Sequence, residues 1–127
     1  MTDELDSMDF VQLSETFATE VAGWKHEGPV IIAAKKGGII ANWKNANGDW
    51  VYDPTFATDA NAVLPWLGKH QNANSYAFGI WMIRIIISDS RPIKILAEAS
   101  APTFPRAACI ALIRAKRAEK QQQGETP

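Results

Sequence analysis

The sequence predicts an α+β protein, an antiparallel sheet of about five strands sandwiched between helices. Three observations carry this: a helical stripe of apolar residues near the start, short β-branched runs separated by turn residues in the middle, and an alanine-rich helix near the end. At 127 residues the chain is the size of one domain and buries roughly two-thirds of the surface its unfolded form exposes. Residues 1–120 are assigned to that single domain and 121–127 to a disordered tail.

The first helix is expected from Ser7 to Ala22, because Phe10, Leu13, Phe17, Val21 and Trp24 recur at spacings of three and four. Gly23 is its stop, and Asp3, Glu4, Asp6 and Asp9 suit its positive end. Val30 to Ala34 and Ile39 to Trp43 are strands joined by the Lys35-Lys36-Gly37-Gly38 turn. A third strand, Asp49 to Tyr52, follows Asn47-Gly48, a type I′ signal.

Pro54 ends that strand, and Thr58 or Asp59 caps a second helix running toward Lys69, with a kink or early end at Pro65. Asn72 to Ser75 reads as a loop. Tyr76 to Ile87 reads as one long central strand whose apolar character on both faces implies cover by helices on at least one side. Ser88 to Pro92 turns the chain into a strand from Ile93 to Ala97, and a last helix starts after Thr103 and runs toward Lys120. Its first half is apolar nearly all round, and its second half carries Arg114, Lys116, Arg117 and Lys120.

Four stretches, in order, resemble the phage ABA sandwich domain family, small proteins of phages and prophages. Ala18-Thr-Glu-Val-Ala-Gly-Trp24 is similar to its A-E-x-V-x-G-W helix end, and Pro54-Thr-Phe-Ala-Thr-Asp59 to its P-x-Y-S-T-D helix start. Ile80-Trp81 and the β residues after it are similar to its W-x-V strand, and Ala101 to Leu112 to its T-x-P-x-A-x-C-x-A-L helix. Phe56, Ala57 and Pro65 depart from the family pattern. The resemblance implies an antiparallel sheet between helices, a phage origin and no assigned family activity.

Composition narrows the function classes. Hydrophobic residues at 46% and charged residues at 21% mark a folded chain. A net charge of −1 lacks the basic surplus that general nucleic-acid binding needs. A lone cysteine, Cys109, forms no internal disulfide, no apolar run is long enough to span a membrane, and the acidic start is unlike a secretion signal. A cytoplasmic protein is the expectation, and the resemblance implies an infected bacterial cell.

Catalytic chemistry has no visible seat. His26 and His70 stand alone, with no metal-ligand spacing. Asp49, Asp53 and Asp59 are explained by turns and caps, and no P-loop or nucleophile elbow occurs. No enzyme, metal or cofactor is expected; a weak hydrolase through Asp53 and His70 is the least favoured alternative.

Binding chemistry is better supplied. Lys35 and Lys36 flank a glycine turn able to cradle an anion, Trp43, Asn45, Trp50 and Tyr52 can stack on a base and bond its edge, and Arg84, Arg91 and Arg106 can add phosphate contacts. These nine residues form the candidate ligand site. The leading expectation is a phage accessory protein that sequesters a small anionic ligand, a cyclic nucleotide or ADP-ribose derivative serving as a second messenger of anti-phage defence. The alternative is a protein-interaction module inhibiting a host or phage protein. A homo-oligomer is expected from the exposed hairpins and surplus tryptophans.

Overall fold

A computed structural model describes residues 4–32, 39–87 and 92–124. After a 3₁₀ turn at Glu4–Ser7, α1 spans Phe10–Glu20. Asp9 caps it reciprocally: its carboxylate accepts from the Gln12 N–H at 2.8 Å, and the Gln12 side chain accepts from the Asp9 N–H at 3.3 Å. Gly23, at φ +74°, closes the helix end while the Trp24 N–H donates to the Ala18 carbonyl. Leu13, Ser14, Phe17 and Ala18 are the buried face, whereas Phe10, expected in the stripe, is exposed.

The remaining elements are β1 (Lys25–Ile32), β2 (Ile39–Lys44), β3 (Trp50–Val51), α2 (Ala60–Leu67), β4 (Gln71–Ala77), β5 (Ile80–Ile87), β6 (Lys94–Ala101) and α3 (Phe104–Gly124). The strands form two antiparallel three-stranded sheets, β1-β2-β3 and β4-β5-β6, so the single five-stranded sheet is corrected. The α2 segment separates them, and Asn72 to Ser75, expected as a loop, is the middle of β4.

The run from Tyr76 to Ile87 is also a correction. It is not one strand but a strand end, a turn and β5, with Phe78 and Gly79 both left-handed at φ 54° and 78°, as a two-residue type I′ connection requires. At Asn47-Gly48 only Gly48 has positive φ, so that turn is not type I′. The Asn45 carbonyl accepts from the Gly48 N–H, the pattern of a turn closed by one left-handed glycine. In β1, extra residues between His26 and Val30 bulge the strand, and Gly28 lies so close to the Asn42 backbone that a Cβ would collide with it.

The buried layer is a helix. Ala107 through Ile113 are all buried because α3 packs on β5 and β6 on one side and on α1 and α2 on the other. Inward Ile83, Ile85, Ala99 and Ala101 meet it from the sheet. Helices therefore do not sandwich a sheet; among the described elements the β4-β5-β6 sheet has a helix layer on one face only.

The basic half of α3 has partners. Arg117 makes a two-pronged contact with Glu20, at 2.8 and 2.9 Å, and reaches Glu4 at 3.1 Å, while Arg114 meets Asp6 at 2.8 Å. The hydrogen bonds that Arg117 donates to Glu20 hold its guanidinium even more firmly protonated than usual; burial opposes this, and the charges of Glu20 and Glu4 and the hydrogen bond to Glu4 outweigh it. The helix continues to Gly124, past the tail start expected at Gln121; residues 125–127 lie outside the described ones.

Candidate binding site

An apolar pocket of about 400 Å³ opens where α1, β3 and α2 converge. Each wall follows from local sequence. The Gly23 turn throws Trp24 out of α1, the end of β3 supplies Val51, Tyr52 and Asp53, and Asp59 caps α2 by accepting from the Asn61 N–H at 3.0 Å. That cap starts a helix whose Ala62 and Trp66, four residues apart, face the same opening. Phe56 lies between them in the chain's approach to α2.

Aromatic rings build the pocket. Phe56, nearly fully buried, meets Trp24 edge-on at 5.1 Å between centroids and Phe17 at 4.5 Å, and Phe17 meets Trp66 edge-on at 6.1 Å. Tyr52, 70% exposed, stands at the rim. The turn between them is fixed by Ser14, whose buried hydroxyl accepts from the Ala57 N–H at 2.9 Å. Asp53 is the carboxylate in the lining, and outside that lining Lys69 holds its ammonium 4.0 Å from the ring centroid of Trp66.

The residues nominated from sequence do not assemble as one site. Trp43 is 5% exposed, a core residue met edge-on by His26 at 5.0 Å. Trp50 is half-buried beneath Lys44, 4.8 Å from its ring centroid. The Asn45 side chain accepts from the Asn47 and Asp49 N–H groups, which commits it to the turn. Arg84 pairs with Glu98 at 3.3 Å, and Arg106 donates to the carbonyls of Asp6 and Met8 while lying over Phe10. Lys35, Lys36 and Arg91 lie outside the described residues. Of the six described, Tyr52 alone borders the pocket.

The pocket residues that spacing arguments missed are Trp24, Phe56 and Trp66. They are far apart in the chain, and the available signal was the Gly-Trp helix end together with the Thr-Asp cap. A larger open groove of about 580 Å³ along α1 is lined by Glu4, Glu15 and Glu20, whose charge disfavours an anion. Among the described residues no cluster of three or more His, Cys, Asp and Glu is placed to hold a metal ion, and no helix is long and apolar enough to cross a membrane.

Comparison with known proteins finds no matching family model, curated protein or solved structure.

Proposed function

We propose that this chain binds, without transforming, a small ligand that joins a flat heteroaromatic ring to an anionic group, a nucleotide second messenger being the most concrete case. The observation that carries the reading is the pocket walled by Trp24, Phe56 and Trp66, with Tyr52 at its rim. Aromatic side chains contribute about 1–3 kcal/mol per stacked base. Asp53 supplies an acceptor for an exocyclic amino group, and Lys69, which sits on the Trp66 ring but outside the pocket lining, is the cation offered to a phosphate reaching past that ring. The accessory role of sequestering a defence messenger rests on the resemblance to phage ABA sandwich proteins, with Phe56 of the pocket standing where that family has Tyr.

Calorimetry with cyclic di- and trinucleotides, ADP-ribose derivatives and adenosine tests this. The expected result is heat and tryptophan quenching with a nucleotide that is recovered chemically unchanged. Tyr52→Ala, at the exposed rim, is expected to weaken binding about ten-fold, the share of one stacking contact. No heat across the panel overturns the reading.

The alternative, a protein-interaction module, is favoured by the fully exposed Phe78 on the β4-β5 turn, between exposed Tyr76 and Ile80. Under that reading Phe78→Ser abolishes inhibition of the target protein and leaves nucleotide heats unchanged.

A further inference from the structure

Strand β5 reads Ile-Trp-Met-Ile-Arg-Ile-Ile-Ile from Ile80 to Ile87. Its inward residues Ile83 and Ile85 are buried under α3, and Trp81 is packed against the same core. Its outward residues are Ile80, Met82, Arg84 and Ile86, three of them apolar, where a solvated antiparallel face ordinarily alternates to polar residues. Neighbouring strands extend this outer face: Ile86 sits beside Ile95, and Arg84 beside Glu98 on β6 and Ala73 on β4. Ile80 is 42% and Ile95 50% exposed. Among the described elements, the helix packed on this sheet is α3, and it lies on the opposite face.

The charges on the face identify what fits it. Arg84 and Glu98 are direct cross-strand neighbours, 3.3 Å apart, each with about half its side chain exposed. One cation and one anion side by side, among Met82, Ile86, Ala73 and the small polar Ser75 and Ser100, form a surface complementary to itself. A two-fold axis lying between the stacked sheets, parallel to the strands and passing over the midpoint of this pair, sets Arg84 opposite the partner's Glu98 and Glu98 opposite the partner's Arg84. The balanced pair offers no charge surplus to attract nucleic acid or acidic lipid.

We propose that the chain forms a two-fold homodimer through the outer face of the β4-β5-β6 sheet, sheet against sheet, with α3 outside on each protomer. Aligned sheets pack about 10 Å apart through interdigitating side chains, and Ala73, Ser75 and Ser100 are small enough to permit that approach. The dimer covers the second apolar face of β5. The inference is independent of the ligand pocket, which lies beyond α3 from this sheet.

Sedimentation velocity of the full chain over a concentration series, with far-UV circular dichroism of each variant, decides it. The expected wild-type species has twice the 14.0 kDa chain mass and dissociates on dilution. Ile80→Lys combined with Ile95→Lys, both at exposed positions, gives a folded monomer. Arg84→Glu and Glu98→Arg each weaken the dimer by setting like charges across the axis, and the double swap restores it. A wild-type monomer at every concentration, or a larger assembly with no two-fold unit, overturns the proposal. So does a dimer that withstands both the lysine pair and the single swaps, which would point to pairing along the β4 edge.

Discussion

Cys109 is walled in by the core, and burial pushes its thiol well above its ordinary value of 9.0, an effect that the nearby Arg106 cation only partly offsets. In the native protein it is an inert thiol rather than a nucleophile. Its titration bears on stability with a definite sign. Above pH 9.0 the unfolded chain releases the thiol proton while the folded chain keeps it, so stability falls as pH rises, by at most about 1.4 kcal/mol per pH unit. Urea denaturation between pH 8 and 10.5 is expected to show this extra slope, and Cys109→Ala to remove it. An identical slope in both proteins would refute the assignment.

At the same scale, side-chain type was legible in the sequence and side-chain employment was not. Asn45, Arg84 and Arg106 have the donors and acceptors that a phosphate ligand requires, and the same atoms serve a turn, a cross-strand pair and two loop carbonyls. Trp43 stacks as readily in a core as on a base. Competition between these uses is decided by tertiary neighbours, which spacing along the chain does not encode.

Elements with strong local chemistry were read correctly in kind. The Gly23 stop, the Asp59 cap, and the pairing of β1 with β2 and of β5 with β6 follow from residues within a few positions. The failures have local causes too. Strand β4 is almost wholly exposed, so Gln71 to Ala77 lacks the apolar alternation that announces a strand. The turn preceding β5 hides behind Phe78, a residue that type I′ positions rarely accept because its Cβ crowds the following carbonyl at φ 54°. Phe78→Asn replaces it with a residue suited to that conformation and removes no buried contact, because the ring is fully exposed. Thermal and urea unfolding should show stabilisation by about 1 kcal/mol, and a loss of stability would mean that the ring packs on the hairpin.

At the level of the whole molecule, the mixture of helices and antiparallel strands was anticipated, while the layering differs from the expected sandwich. The apolar girdle of α3 was visible as a helix buried all round, but the number of sheets was not: every strand pairs with its neighbour in sequence, and local pattern does not encode that β3 and β4, on either side of α2, belong to different sheets. The two-sided apolar character of β5 was legible as a central strand covered by helices on at least one side, which α3 provides.

The contacts from Arg117 to Glu4 and Glu20 join residues separated by 113 and 97 positions. A clasp of that span forms only after nearly the whole chain has condensed, since closing so long a loop early costs entropy that no single ion pair returns. Its influence is therefore kinetic and one-sided: it is absent from the folding barrier and lost in crossing the unfolding one. In stopped-flow experiments Arg117→Met should leave the refolding limb in place and raise the unfolding rate, by no more than about five-fold for partly exposed pairs. The basic half of α3 thus acts as a latch on the lifetime of the native state rather than as a guide toward it.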